Sequence, residues 1–421
     1  MVDLSAIPGY ILIFAILVLS FFWLFIYRDS AKSKEQKRTL TKYPSVAVII
    51  PTIHEGKFLG NCIQSALNLK YPKTKYKIYV ALNRSSTEET VKTAAKFARK
   101  AKIINCPMNG KAKVMNYVLN NFAKEDLFLV LDADTVLESK MVMRLVPLFE
   151  NKEVGAAVPS VQVLNAKTVA SKLQKYEYIL SVISRKSLSD MVALMIAHGA
   201  GTMFRTGLVK RLGGFDEKNN PTEDLEMGLR ILTSGYRIET DPKALSYTMV
   251  PETFGKLFEQ RKRWSSGFFF NIIKYRKRIF ERSNSRLGLF VVPLLLFSTM
   301  LGIVSLILLL NAVLNPVGNF FLQQYLLIKN TSLDFAFSSL FAGLAYSING
   351  GTIFTILTTV ISVFTLYYAL KYSEIKFDKV KDAIGIVGYI FFYIFFLSFV
   401  WLYTAIAFLV YRQGFSWKST I

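Results

Sequence analysis

Asp132 and Asp134 stand one residue apart in LDADT, directly after the apolar run LFLVL. Two carboxylates at that spacing can hold a hard divalent cation together with the phosphate oxygens of a substrate. Gly110-Lys111-Ala112-Lys113 opens a helical pattern, so free backbone N–H groups and a lysine face phosphate there, although P-loop spacing is missing. Thr222-Glu223-Asp224 precedes the helical run 225–234. A threonine there caps a helix and the acids complement its dipole, worth about 1 kcal/mol; the chemical reading is that one carboxylate is a general base for an incoming nucleophile. Gln260-Arg261-Lys262-Arg263-Trp264 sets three cations beside an indole, which suits a lipid headgroup layer. Each motif alone has a plain structural reading as a turn, a helix start, a cap or a topogenic patch.

The elements that must carry these residues follow from the pattern of apolar runs. Residues 45–51, 76–82, 102–105 and 127–132 are short continuous apolar runs bounded by turn residues, which is how parallel strands buried on both faces read. Between them, 57–69, 88–100 and 112–122 have helical spacing. The alternation predicts a doubly wound α/β domain with its ligand crevice at the carboxyl ends of the strands. The Asp132/Asp134 pair falls at such an end.

Composition places the domain beside a bilayer. The 421 residues are 52% hydrophobic and only 19% charged, against roughly 45–50% and 25% in soluble domains. Residues 7–27 form an apolar stretch of about the 20 residues that span 30 Å of hydrocarbon. It ends in Tyr27 and Arg28 rather than small residues, so it reads as an uncleaved anchor. Of 52 Lys and Arg, 45 lie between Arg28 and Arg286; the positive-inside rule assigns that block to the cytoplasm and the N-terminus to the outside of a membrane expected to be the plasma membrane. Further spans are expected near 288–312, 351–370 and 384–411, for about four crossings, with 334–351 an apolar segment that lies at the outer interface, extends the third span, re-enters or crosses. The resulting divisions are an anchor (1–28), a cytosolic catalytic domain (29–250), interfacial amphipathic helices (251–286) and C-terminal transmembrane helices (287–421). Nine basic residues among aromatic ones between Arg261 and Arg286 suit contact with membrane lipids. No nucleic-acid-binding module is visible. Two cysteines, Cys62 and Cys106, make no disulfide framework and suit a reducing compartment.

Taken in order, SVAVIIPTIHE, GKAKVMN, LDADT, GAGTMFR with GGFDE, TEDLEMGLR and QRKRW resemble the membrane-integrated family 2 glycosyltransferases, which include cellulose, chitin, hyaluronan and poly-N-acetylglucosamine synthases. The resemblance covers roughly residues 45–270. It implies a GT-A-like fold and inverting, metal-dependent transfer of a sugar from a nucleotide sugar. By resemblance, Thr52 and Glu55 contact the nucleoside, Lys111 helps hold the nucleotide, Asp132 meets the nucleotide sugar, and Asp134, with Asp132, serves the Mn2+ or Mg2+ ion. Asp224 matches the catalytic base. Gln260, Arg263 and Trp264 match QxxRW, whose polar residues face the diphosphate and whose Trp lies near the acceptor sugar. His198, Gly199, Gly201 and Glu223 fall on the acceptor side.

One position departs from the family. Where its members carry a pair of acids after the second strand, one reading uracil, this chain has Asn83 and Arg84. An amide brings N–H donors where a carboxylate only accepts, so a GDP-sugar stands beside a UDP-sugar as donor. The acceptor is a growing β-linked polysaccharide or oligosaccharide or, alternatively, a single membrane lipid such as a polyprenyl phosphate or ceramide-like molecule. A homo-oligomer stays open.

Overall fold

A computed structural model describes residues 7–32, 42–218, 220–284, 286–329 and 381–411, with Leu40 and six residues between 357 and 367. The elements in chain order begin with α1 (Ile7–Lys32), β1 (Val46–Thr52), α2 (Gly56–Leu67), β2 (Tyr76–Leu82), α3 (Glu88–Ala95), β3 (Lys102–Asn105), α4 (Lys111–Asn121), β4 (Leu127–Leu131), β5 (Thr135–Leu137) and α5 (Met141–Leu145). They continue with β6 (Val154–Val163), α6 (Val169–Asp190), β7 (Ala200–Arg205), α7 (Thr206–Arg211), α8 (Glu223–Thr233), β8 (Arg237–Thr248) and α9 (Phe254–Ile279). The apolar C-terminal part contributes α10 (Val292–Lys329), α11 (Lys381–Gly388), a π-helical turn (Tyr389–Tyr393) and α12 (Ile394–Tyr411).

Eight strands form one sheet in the order β3-β2-β1-β4-β7-β6-β8-β5. The first four run parallel, as their apolar runs predict. Beyond them the sheet is mixed, because β7 lies antiparallel to both β4 and β6. All seven residues of β1 and all five of β4 are buried. Alternate side chains go to opposite faces: Ala47, Ile49, Phe128 and Val130 join one apolar cluster, and Val46, Val48, Ile50, Leu127 and Leu129 the other. Truncating a fully buried Ile49 to alanine in such a core costs about 2–5 kcal/mol.

The strand register opens the crevice. β1 pairs with β2 along its whole length to Thr52, but with β4 only from Val46 to Ile49. Pro51 has no N–H to give and sits beyond the last β4 partner, where none is asked of it. The two central strands therefore part at their carboxyl ends. Helices α6 and α9 meet α1 and the C-terminal part in a third apolar cluster built on Tyr27, Tyr176, Ile183, Leu257, Tyr389 and Tyr393.

Two expectations change in detail. The helix expected over 88–100 ends at Ala95, and 251–286 is one long helix, α9, followed by short turns rather than several helices. Among the described residues one segment, Arg286–Val304, is long and apolar enough to cross a bilayer, and Ile394–Val410 is a shorter apolar helix. On α1, Ile11, Phe14, Val18, Phe21 and Phe25 are all exposed, a single apolar stripe at helical spacing. Residues 334–351, and nearly all of 351–370, lie outside the described residues.

Candidate active site

The cluster at the crevice starts with Lys111, the first residue of α4. The preceding Gly110 has φ 106°, the left-handed region that glycine enters freely, and this turn sends the Lys111 side chain toward the end of β4. Its Nζ lies 2.6 Å from Asp132 Oδ1 and 3.2 Å from Glu223 Oε1. Burial alone would lower the lysine pKa, but Asp132 and Glu223 raise it well above the ordinary value, so the ammonium stays charged. Gly199 backs this pair. A Cβ there would stand 2.5 Å from Asp132 Oδ2 and 2.6 Å from Lys111 Nζ, so a larger residue would force the ion pair aside.

Asp224 sits next to Glu223 in the first turn of α8, and a small cavity is lined by Lys111, Gly199, Glu223 and Asp224. Burial first, then the charge of Glu223, pushes its carboxyl up to about 6, against the opposing pull of Lys111 and Arg263. Asp134 is likewise raised to about 6 by burial and by Asp132. The hydroxyls of Thr135 and Thr248 lie 3.2 and 3.4 Å from its Oδ1. Two neighbouring carboxylates whose charges oppose each other are a donor set of hard oxygens, and a divalent cation between them would relieve that repulsion; Asp132 and Asp134 fit Mg2+ or Mn2+ on this chemistry. Among the described residues no group of three or more His, Cys, Asp or Glu assembles, so the remaining coordination positions are left to other oxygens.

The end of β1 forms the second wall. Glu55 Oε2 accepts from Thr52 Oγ1 at 3.0 Å and from the N–H groups of Ile53 and His54 at 2.7 and 2.9 Å. Asn83 donates its backbone N–H to Thr52 O at 3.1 Å; the residue is 4% exposed, and its side-chain Oδ1 has no hydrogen-bond partner.

His198 and Gly201 part company with the cluster. His198 Nε2 lies 3.1 Å from Arg185 Nη1 of α6. Arginine has no acceptor, so Nε2 accepts and the ring proton sits on Nδ1. Burial, then the Arg185 cation, holds this histidine well below its usual pKa, and it is neutral. Gly201, at φ 105°, packs against Met141, Leu137 and Pro159, so it serves the strand rather than the crevice.

Helix α9 is docked onto the turn that carries Glu223 and Asp224. Arg263 Nη1 donates to Pro221 O at 3.1 Å, and Asn271 Nδ2 lies 3.1 Å from both Asn220 Oδ1 and Thr222 Oγ1. Gln260 Oε1 is buried without a partner. Trp264 is 36% exposed, with the Arg261 guanidinium 4.0 Å above its ring. Sequence reasoning missed Arg185, Glu177 and Arg261. In QRKRW Arg261 reads as one of three cations suited to a headgroup layer, and its burial against α6 has no local signal.

Residues 44–267, more than half of the chain, match the model of a family described as Glycosyltransferase like family 2. The chain is a family 2 glycosyltransferase. It is 28% identical over 272 residues to the probable glycosyltransferase YdaM of Bacillus subtilis, covering 62% of this chain and 63% of that protein. It is 27% identical over 270 residues to a poly-beta-1,6-N-acetyl-D-glucosamine synthase of Staphylococcus epidermidis, covering 61% of this chain and 64% of that one. The match thus spans just under two thirds of either relative. Among solved structures, the mannosyltransferase PcManGT of Pyrobaculum calidifontis, in complex with GDP-Man and Mn2+, superposes with a TM-score of 0.54 at 21% identity, over 86% of this chain and 97% of that one. This glycosyltransferase accordingly has the GT-A-like α/β fold.

Proposed function

We propose that this glycosyltransferase moves a sugar from a nucleotide sugar onto a growing β-linked polysaccharide or oligosaccharide, with inversion, at the cytosolic face of a membrane. The observation that carries the reading is the convergence of Asp132, Glu223 and Asp224 on Lys111, with the Arg263 helix docked onto the same turn. Asp224 is the base: with its carboxyl near 6, it is ionised at neutral pH yet a better proton acceptor than an ordinary aspartate. It takes the proton of the acceptor hydroxyl, which attacks the anomeric carbon opposite the leaving diphosphate. Attack without a covalent intermediate inverts that centre.

Lys111, Gln260 and Arg263 hold the donor's diphosphate end, Asp132 meets the nucleotide sugar, and Thr52, Glu55 and Asn83 hold its nucleoside. Glu223, Gly199 and Trp264 border the acceptor; His198, turned to Arg185, does not. Asp134 and Asp132 would hold Mn2+ or Mg2+, which when bound neutralises charge on the departing diphosphate. The likeness to a poly-beta-1,6-N-acetyl-D-glucosamine synthase supports glycan synthesis, and the Mn2+ and GDP-Man in the mannosyltransferase complex support this class of cofactor and donor. The exposed apolar stripe on α1 and the exposed apolar residues of α10 and α12 support embedding in lipid, with crossings near 7–27, 288–312, 351–370 and 384–411 and the N-terminus outside.

The test is to give the purified, detergent-solubilised protein Mn2+ and a panel of UDP- and GDP-sugars and to read nucleotide release. Release from one donor class supports the reading and names the nucleotide; release from none contradicts it.

A further inference from the structure

Arg261 is 5% exposed and is gripped from outside its own helix. Its Nη2 donates to Glu177 Oε2 at 2.7 Å and lies 3.3 Å from the Tyr393 hydroxyl, while that hydroxyl donates to the same Glu177 oxygen at 2.6 Å. Glu177 is on α6, and Tyr393, fully buried, ends the π-helical turn that leads into α12. Three segments far apart in sequence thus share one polar knot. The rest of the guanidinium lies over the Trp264 ring, and its Nε and Nη1 have no hydrogen-bond partner. The Glu177–Tyr393 pair on one side and the indole on the other therefore decide where this cation sits. A second tie fixes the same helical turn: Ser265 Oγ and Thr404 Oγ1 of α12, both buried, are 2.9 Å apart.

We infer that Arg261 is a positioning residue for Trp264 and that Glu177 and Tyr393 hold it, so that the apolar C-terminal segment sets the angle of the ring that meets the acceptor sugar. The inference rests on the acceptor role given to Trp264 above. One ring face is covered by the guanidinium, and the indole keeps enough exposed surface to stack on a sugar; such stacking depends on the tilt of the ring. A buried arginine without its carboxylate leaves for water, and the covered ring face would lose the guanidinium with it. The Lys111–Asp132 cluster is not part of the knot, and Arg263 has its own tie to Pro221 O, so donor binding does not depend on it.

The test uses the full chain in a background in which Trp23, Trp401 and Trp417 are replaced by phenylalanine, leaving Trp264 as the sole tryptophan. Tyr393→Phe keeps the ring and removes one hydroxyl; Arg261→Lys keeps the charge and removes the planar stack. In each, Trp264 emission should shift, its quenching by acrylamide should rise, and the acceptor KM should rise several-fold with the donor KM unchanged. The two changes combined should cost little more than either alone, since they break one knot. Wild-type emission and acceptor KM in Tyr393→Phe would overturn the inference, even if Arg261→Lys fails to fold. The emission arm needs no substrate, so a shifted emission with an unchanged acceptor KM would instead sink the acceptor role of Trp264, and the inference with it.

Discussion

Gly267 of α9 packs directly on Thr222: a Cβ built on this glycine would stand 2.2 Å from Thr222 Oγ1. The helix that carries Arg263 and Trp264 thus approaches the turn that carries Asp224 as closely as a backbone can. Gly267→Ala in an ordinary helix interior would stabilise by roughly 0.5–1 kcal/mol. Here the added methyl must push α9 off the turn. The expected outcome is a lower melting temperature and a fall in kcat of about 10²-fold, the usual cost of a displacement near 1 Å in a catalytic constellation. A more stable protein with unchanged turnover would show that the contact positions nothing.

Asp224 gives a pH prediction whose sign follows from its role as base. Its carboxyl is raised to about 6, so it is protonated and idle below that pH and ionised above it. The logarithm of kcat/KM should rise with unit slope as pH approaches 6 from below and then level off. Lys111 is one of the groups that lower the Asp224 pKa, so Lys111→Met should move the limb to higher pH. A limb that stays in place in Lys111→Met would mean that another group limits the rate.

Gly199 is predicted to be intolerant of any side chain. Gly199→Ala drives a methyl into Asp132 Oδ2 and Lys111 Nζ, so calorimetry should show nucleotide binding weakened about tenfold or more, which is about 1.4 kcal/mol, while the thermal transition moves little. Wild-type affinity in this variant would remove the Lys111–Asp132 pair from the donor site.

Asp134 separates the cation from the nucleotide. In Asp134→Ala, affinity for a nucleoside diphosphate measured with and without Mn2+ should no longer differ, whereas the wild type should bind more tightly with the ion. A metal effect that survives the substitution would assign the cation to other ligands.

The sequence exposed the parts of this molecule in which neighbours in the chain do the work. β2 and β3 run over the expected residues, β2 buried over its last five and β3, at the sheet edge, exposing Lys102 and Asn105; Asp132 follows the fully buried β4, whose run is apolar throughout, and Lys111 and Glu223 join it from the first turns of α4 and α8. The antiparallel β7 was not legible: AGTMFR reads the same in either direction, and only its pairing with β4 and β6 fixes the orientation. Glu177 and Arg185 look like solvated charges on a helix, KYEY and SRKS. Their partners Arg261 and His198 are brought to them by the packing of α6 against the sheet and α9, which no local pattern records.

The most direct test of the central claim is the mass of the product. Wild type and Asp224→Asn would be incubated side by side with Mn2+ and the donor identified by nucleotide release, and the products read by mass spectrometry. The account predicts a ladder spaced by one sugar mass from the wild type, and none from Asp224→Asn although it still binds nucleotide. A single sugar added to a co-purified lipid, or a ladder of wild-type yield from Asp224→Asn, would contradict it.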